Sequence, residues 1–387
     1  MSSCIKKTKN EDEYNKKEKS TLNEKPLNIQ LISKLSFQIG DIDIINKRYP
    51  IEIRSVHELP NKRIGILTEF YLLIHSLNTM KLIKKLEPDL KLILLEDKDI
   101  GYSPLYDFTV LKNNDLVIWN SIIIFFYKLN RKEYKLYQTI NEYNLGTDKE
   151  KYFKYNHIFW YKIKSIYELS NGNLVSCNNL VLKLYYKKNN KYYLKSELKS
   201  SKDVEKVVEI KPNILILFTK TFVSGGCRVD VFSNSISIYD IENKKKTYLK
   251  TYDNLRNHEG DINFLIKNNY LLIRYNNALD IFNIENMELI TFKNEKDYYI
   301  YDYFNGKELK TDMRINFLCD YYDDLFFVKD YFWEVKIYKF EDEKISFFSN
   351  FPFEIIRIKG MFKLKNKNNF IVMYSQDEIQ VLHYKNY

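Results

Sequence analysis

The sequence predicts an all-β protein built from repeats, and three observations support this prediction. The composition is rich in Ile, Tyr and Phe, residues that favour strands, and Ala278 is the only alanine. Short apolar runs recur from Asn28 onward and are separated by Asn, Asp, Lys and Gly turns. The length of 387 residues exceeds one small domain but suits an architecture that grows by adding units.

The repeat is visible in LSNGNLVSCNNLVLKLYY at residues 169–186, where polar turns separate short apolar strands. Similar stretches occur along the chain, and each is marked by the last apolar residue before its first turn. These seven positions are Leu59, Leu111, Leu169, Ile210, Ile266, Leu318 and Leu364. Successive spacings are 52, 58, 41, 56, 52 and 46 residues, close to the roughly 40–45 residues of a four-stranded propeller blade with insertions. We therefore expect a seven-bladed β-propeller, because radial stacking buries both faces of each sheet.

The two ends of the chain are predicted to meet in one blade. The last copy ends at Tyr387 after three strands, which leaves the ring one strand short. The strand-like segment NIQLISKLSFQIGDIDIIN, residues 28–46, is predicted to supply that strand. Residues 1–27 are charged and carry almost nothing to bury, so they are predicted to be a disordered tail. The predicted organisation is this tail followed by a single propeller over residues 28–387.

The stretch ELSNGNLVSCNNLVLKLYY resembles the repeats of the WD-repeat family of β-propellers, and the resemblance covers roughly residues 28–387. It implies a propeller that acts as a protein-interaction scaffold. This sequence departs from the family pattern, because no copy ends in Trp-Asp and Tyr239-Asp240 stands at the matching place. The Gly-His element is reduced to NHEGDI at residues 257–262, so the family's buried Asp-His-Ser-Trp network is not carried over. Another type of propeller remains the alternative.

The insertions are predicted to lie on one face of the ring. In a four-stranded meander, the second-to-third turns and the interblade connections leave from the same end of the blade. The long interblade segments are 88–105, 144–162 and 294–314, and residues 220–233 form a long second-to-third turn. Long loops on a rigid scaffold often carry binding function. The alternative is that tolerated insertions accumulated there without a function.

Two of these segments are aromatic: KYFKYNHIFWYK at residues 151–162 and KDYYIYDYFNGKELK at residues 296–310. Tyr and Trp supply large contact areas with a polar group, as interface hot spots do. Mixed Lys and aromatic side chains can also bind single-stranded nucleic acid, and the rings could instead pack on the adjacent blades. The predicted partner-binding residues are Tyr152, Tyr155, Trp160, Tyr298, Tyr299, Tyr301 and Tyr303.

The sequence predicts no enzyme, no cofactor and no metal site. It contains no HExxH, GxSxG, Walker or GxGxxG motif, and its five histidines are dispersed. The pair Gly225-Gly226 is interpreted as a hairpin turn. Four separated cysteines without a CxxC motif suit a reducing compartment.

The net charge is +10, but acids are scattered among the bases, which favours a solvated basic surface. The sequence has no signal peptide and no apolar run of about 18 residues, so an intracellular location, cytoplasmic or nuclear, is expected. The predicted function is a non-catalytic scaffold that presents one loop-decorated face to a partner protein, as a monomer or within a larger complex. The alternative is an anion-binding propeller that recognises RNA or an acidic surface through the Lys and aromatic loops.

Overall fold

The structure is a computed structural model in which strands and short turns account for almost all of the described chain. It describes residues 28–36, 43–44, 47–48, 52–88, 104–142, 163–178, 181–199, 203–225, 230–256, 263–275, 278–291, 298–302, 307–311, 315–322, 325–330, 335–341, 344–351, 358–365, 370–375 and 377–385. The predicted tail over residues 1–27 lies outside these ranges. The first strands are β1 (Asn28–Ser36), β2 (Asp43–Ile44) and β3 (Lys47–Arg48).

Blades 1 to 3 are four-stranded antiparallel sheets whose strands are hydrogen-bonded in chain order. Blade 1 contains β4 (Ser55–Leu59), β5 (Arg63–Leu67), β6 (Leu72–Ser76) and β7 (Leu82–Leu86). Blade 2 contains β8 (Asp107–Val110), β9 (Leu116–Trp119), β10 (Ile123–Asn130) and β11 (Glu133–Asn141). Blade 3 contains β12 (Ile163–Glu168), β13 (Leu174–Asn178), β14 (Val181–Lys188) and β15 (Lys191–Lys199).

Blades 4 to 6 repeat this order, and a two-stranded ladder lies between blades 5 and 6 along the chain. Blade 4 contains β16 (Asp203–Lys211), β17 (Ile214–Gly225), β18 (Asp230–Asp240) and β19 (Lys245–Arg256). Blade 5 contains β20 (Asn263–Lys267), β21 (Tyr270–Tyr275), β22 (Ala278–Asn283) and β23 (Glu288–Thr291). The ladder pairs β24 (Tyr298–Asp302) with β25 (Lys307–Thr311), and blade 6 contains β26 (Ile315–Tyr322), β27 (Leu325–Asp330), β28 (Val335–Glu341) and β29 (Lys344–Asn350).

Blade 7 joins the two ends of the described chain, as predicted. Its inner three strands are β30 (Gly360–Lys363), β31 (Phe370–Tyr374) and β32 (Glu378–Lys385), and β1 is its outer strand. The two ladders β1–β32 and β2–β3 are separate, so the closing strand is shorter than the predicted segment 28–46 and ends at Ser36. The seven-bladed propeller with an N-terminal closing strand is therefore confirmed.

The core consists of seven apolar clusters, one between each pair of neighbouring blades, including blades 7 and 1. The second strand of a blade is covered on both faces, which explains why β5 and β9 are continuous buried runs, RIGIL and LVIW. The outer strand β7, in contrast, is mostly exposed. Packing between blades is close at Gly65, where an added Cβ would lie 2.9 Å from the ring of Phe108 in blade 2.

The short turns contain Asn residues in the left-handed backbone conformation, as the Asn-rich turns of the sequence indicate. In blade 3 the two-residue connection Asn189-Asn190 has φ values of 52° and 59°, the left-handed geometry of a type I′ hairpin turn. Asn213, after Pro212, has a φ of 64°, which fits a type II turn with Pro in its second position. Asn tolerates this backbone region better than most residues do, because its short side chain can hydrogen-bond locally.

Glutamates at the ends of three inner strands tie neighbouring blades together. Glu168 of β12 accepts a hydrogen bond of 2.6 Å from the Lys112 backbone N–H in the first turn of blade 2. Glu209 of β16 accepts from both the N–H and the hydroxyl of Ser170 in blade 3. Glu58 of β4 accepts from a backbone N–H of blade 7. Hydrogen bonds to a charged group are stronger than neutral ones, so these contacts stabilise the interfaces between neighbouring blades.

Two segments that were expected to be loops contain strands. Residues 220–225 belong to β17 and residues 230–233 belong to β18, because Thr, Phe, Val and Ser alternate there and pair as far as Gly225 and Asp230. The interblade segment 294–314 contains the β24–β25 ladder, where Tyr and Ile again favour strand pairing. Residues 89–103 and 143–162, which cover most of the other two predicted loops, lie outside the described residues.

Candidate functional site: the insertion face

The strand order divides the ring into two faces. We call the end that carries the second-to-third turns and the interblade connections the insertion face. We call the end that carries the first-to-second and third-to-fourth turns the turn face. On the turn face the described connections are short, such as the two residues between β14 and β15. The long connections leave from the insertion face, which makes it the first place to look for a binding site.

The largest described feature of the insertion face is an extension of blade 4, which we call the arm. The innermost strand β16 pairs with β17 only as far as Asp203 and Lys220. The other three strands continue, with Gly225 paired to Asp230 and β19 extending to Arg256. Five residues of β17 beyond Lys220 correspond to about 16 Å at about 3.3 Å per residue. The arm is a backbone-paired projection.

The free edge of the arm is shaped by a bulge. The register between β17 and β18 shifts between Phe222 and Ser224, which leaves Val223 as the extra residue. Val223 is 56% exposed, and a bulge on an edge strand disfavours pairing with another strand. Contacts from the arm to a partner would therefore come from its side chains.

The second described feature is the β24–β25 ladder between blades 5 and 6. The backbones of three predicted partner-binding residues, Tyr298, Tyr299 and Tyr301, lie in β24 and pair with Thr311, Lys310 and Glu308 of β25. The ladder therefore places this predicted segment on a hairpin of the insertion face. The other four predicted residues, Tyr152, Tyr155, Trp160 and Tyr303, lie outside the described residues.

The two ends of the aromatic segment 143–162 are attached to the same turn of blade 2. The Glu142 N–H donates to the carbonyl of Ile122 at 2.8 Å, and the Ile163 N–H donates to the carbonyl of Ser121, also at 2.8 Å. This turn is itself held by Asn120, whose side-chain oxygen accepts from the N–H groups of Ile122 and Ile123. The base from which the segment leaves and returns is therefore fixed.

A buried charged network stands at this base. The Glu142 carboxylate, fully buried, accepts hydrogen bonds from the hydroxyls of Ser176 and Tyr185 and a longer one of 3.4 Å from the Asn178 amide. The ammonium of Lys183, 1% exposed, lies 3.6 Å from a carboxylate oxygen of Glu142 and donates to its backbone carbonyl at 3.0 Å. Buried charges are tolerated when they are paired and hydrogen-bonded. The network thus joins the end of blade 2 to blade 3.

A buried cysteine lies beside this network. The neighbouring thiol of Cys177 is buried, and burial raises its pKa to about 12, so it is a neutral thiol near neutral pH and a poor nucleophile. Sequence reasoning missed this network. Its one signal was Lys183 within the apolar strand VLKLYY, since a lysine at a core position requires a buried partner.

A second charged cluster lies where the inner strands of blades 3 and 4 begin. Lys164 forms an ion pair of 3.1 Å with Glu205. Burial acts to lower the pKa of Lys164, but the attraction of Glu205 outweighs it and the pKa is raised. Burial raises the pKa of Asp203 to about 6, and the Glu205 charge adds to this while Lys164 and Lys220 oppose it. Asp203 therefore titrates in a mildly acidic range at the insertion face.

Within the described residues, no group of three or more His, Cys, Asp or Glu side chains could hold a metal ion. No helix among those residues is long and apolar enough to cross a membrane.

The fold defines the class: the chain is a seven-bladed β-propeller with insertions on one face. No family model matches the sequence, and no curated protein does. A chain from the crystal structure of the mitotic checkpoint complex is similar in fold, with a TM-score of 0.59, covering 92% of this chain and 95% of that chain at 8% sequence identity. At this identity the similarity concerns the fold alone.

Proposed function

We propose that this protein is a non-catalytic scaffold that presents its insertion face to a partner protein. The observation that carries the proposal is the asymmetry of the ring. The arm of blade 4 and the β24–β25 ladder both leave the insertion face, whereas the described turns of the opposite face are short. Backbone-paired projections lose less conformational entropy on binding than unpaired loops of the same length would.

Two further points support a scaffold. The sequence resembles WD-repeat propellers, although that family assignment stays a prediction, and the similar solved chain comes from a multi-protein complex. The sequence also lacks recognised catalytic motifs. An intracellular location and membership of a complex belong to the same proposal.

The proposed contact residues are the arm together with Tyr152, Tyr155, Trp160, Tyr298, Tyr299, Tyr301 and Tyr303. Tyr and Trp in such positions typically dominate binding energy, because they bury large areas with few rotatable bonds.

The test is affinity capture from the native cell with two variants and a control. In the first variant residues 222–232 are removed, and Thr221 is joined to Ser233 through Asn-Gly, because these two residues are directly paired. The second variant changes Tyr155, Trp160, Tyr299 and Tyr303 to Ser. The control changes Leu82 and Ile83 to Ser, since both are exposed on the outer strand of blade 1, away from the arm.

Each protein is first checked for the β-sheet circular dichroism spectrum and for cooperative unfolding. The proposal expects a partner protein that the wild type and the control capture and that at least one folded variant loses. If all four folded proteins capture the same partners in equal amounts, the insertion face is not the binding surface.

A further inference from the structure

The turn face carries a second surface, at the outer ends of blades 3 and 4. Leu184 and Leu198 of blade 3 pack with Tyr239 of blade 4 in the cluster between these blades, which identifies the facing sides of the two sheets. Tyr186 and Tyr193 are cross-strand partners on that side of blade 3. We call the facing sides of the two sheets at this end the Tyr/Lys cleft. By strand register, Tyr186, Lys188, Lys191 and Tyr193 lie on the facing side of blade 3, and Lys246 and Tyr248 lie on the facing side of blade 4.

The tyrosines present ring surface to solvent. Tyr193 is 43% exposed, and its ring lies 5.7 Å from that of Tyr186. Tyr248 on the opposite wall is 54% exposed, and the ammonium of Lys246 lies 5.1 Å from its ring centre. Exposed rings on a rigid sheet are pre-positioned to stack with another planar group.

Two lysines of blade 3, Lys188 and Lys191, are arranged in a way that lowers the stability of the sheet. Lys188 and Lys191 are direct cross-strand partners beside the two-residue turn, and both are exposed. Like charges directly opposite each other destabilise a sheet. The same arrangement occurs in blade 2, where exposed Lys128 pairs with Lys135.

The described carboxylates near the cleft have other partners. Asp240 accepts from the backbone N–H groups of Glu242 and Asn243 and so caps its own turn. Glu242 accepts a hydrogen bond from the Asn213 amide at 2.7 Å. Glu209 accepts one from the hydroxyl of Ser170, which belongs to blade 3. Among the described residues, no carboxylate forms an ion pair with Lys188 or Lys191. Lys188 and Lys191 therefore place a local positive charge on the blade 3 side of the cleft.

We propose that the Tyr/Lys cleft binds single-stranded nucleic acid, with bases stacked on Tyr193 and Tyr248 and phosphates near the lysines. Base stacking on aromatic rings together with a basic surface is the recognition mode of single-strand binders. An acidic peptide fits less well, because its carboxylates would use the lysines but would leave the exposed rings of Tyr193 and Tyr248 without a planar group to stack on. The proposal uses the turn face and does not depend on the function proposed for the insertion face.

The test measures fluorescence anisotropy of a labelled oligouridylate of about 12 nucleotides over a range of salt concentrations. One variant carries Lys188→Glu with Lys191→Glu, and the second carries Tyr193→Ser with Tyr248→Ser. The control carries Lys62→Glu with Lys81→Glu, which makes the same change in net charge at two exposed positions on the turn face of blade 1. An oligoglutamate peptide serves as the competing probe.

For the wild type we expect binding that weakens with salt. Loss of two phosphate contacts should make the slope of log K against log salt less steep by about 1.4, at about 0.7 per contact for a single strand. The tyrosine variant should lose about tenfold or more in affinity with the salt slope unchanged. The control should change affinity by less than about threefold.

Three outcomes would overturn the proposal. The first is no wild-type binding at low salt. The second is an equal loss in the control and in the lysine variant, which would show a general effect of charge. The third is equal binding by the tyrosine variant together with displacement by oligoglutamate, which would assign the cleft to an acidic peptide.

Discussion

At the scale of single residues, the sequence does not predict the ion pair between Glu142 and Lys183, which is buried between blades 2 and 3. The lysine could be suspected from the sequence, because Lys183 interrupts an apolar strand. Its partner could not, because Glu142 comes from the preceding blade, 41 residues away, just after a strand that is largely exposed. The pairing of Glu142 with Lys183 depends on how blade 2 is oriented against blade 3, and that orientation is set by tertiary packing.

We predict that Lys183→Met lowers the free energy of unfolding by about 3–5 kcal/mol, because it leaves the Glu142 carboxylate buried without its cation. The double variant Glu142→Gln with Lys183→Met should recover part of this loss, since the neutral amide oxygen still accepts a hydrogen bond. Urea unfolding measures both. Lys188→Met, at an exposed position of the same strand, is the control and should change stability by no more than about 0.5 kcal/mol. A double variant no more stable than Lys183→Met alone would contradict the pairing.

We predict a pH-dependent contribution from Asp203. Burial raises its pKa to about 6 in the folded protein, above the ordinary value of 3.8. Between these two values the folded state binds more protons than the unfolded state, so the contribution of Asp203 to stability falls as pH rises. Asp203→Asn mimics the protonated form, so its stability relative to the wild type should be higher at pH 7 than at about pH 4. Urea midpoints at both pH values measure this, and a difference independent of pH would rule out the raised pKa.

At the scale of strands and turns, the sequence predicts the tight turns well and the insertions poorly. Asn-rich turns have a local cause, because the left-handed backbone is set by two residues alone. The arm was expected to be a loop, and its strands depend on whether β17, β18 and β19 keep pairing beyond the end of β16. This pairing depends on three segments that are separated in the sequence, so no short window of sequence predicts it.

The Asn189-Asn190 turn gives a prediction at this scale. Both residues have positive φ values, so Asn190→Gly should maintain or raise stability, whereas Asn190→Val should lower it by about 1–2 kcal/mol. The control is Lys191→Val, one residue further along in a strand, where a β-branched residue is favoured. Thermal unfolding of the three variants measures the difference. Equal destabilisation by Val at both positions would show that the backbone geometry of the turn is not the cause.

At the scale of the whole molecule, the sequence predicts the architecture because the information is repeated. Six copies carry the same order of four strands and turns, and a seventh carries three of them, so a wrongly placed boundary in one copy is corrected by comparison with the others. The inner-strand markers Leu59, Leu111, Leu169 and Leu364 are all buried. The marker Ile266 is 44% exposed, so apolar character at this position does not by itself mean burial. The candidate faces are less predictable, since they depend on side chains from several blades.

The closure of the ring gives the prediction for the whole molecule. Strand β1 pairs with β32 from Asn28 with Lys385 to Ser36 with Glu378, and the ammonium of Lys34 lies 2.7 Å from the Glu378 carboxylate. Removing residues 1–36 should therefore lower the free energy of unfolding by on the order of 5 kcal/mol, because several backbone hydrogen bonds are lost together. Removing residues 1–27 alone, which keeps β1, should have little effect.

Urea unfolding of the two shortened chains distinguishes the contribution of β1 to ring closure from any contribution of residues 1–27 to stability. Because blades 7 and 1 also share an apolar cluster to which Leu35 of β1 contributes, loss of β1 weakens the last interface of the ring as well as one sheet. A synthetic peptide of residues 28–36 added to the shorter chain should restore stability in proportion to its concentration, since it binds the folded state alone. Coincident unfolding curves for the two chains would show that the apolar clusters between blades close the ring without β1.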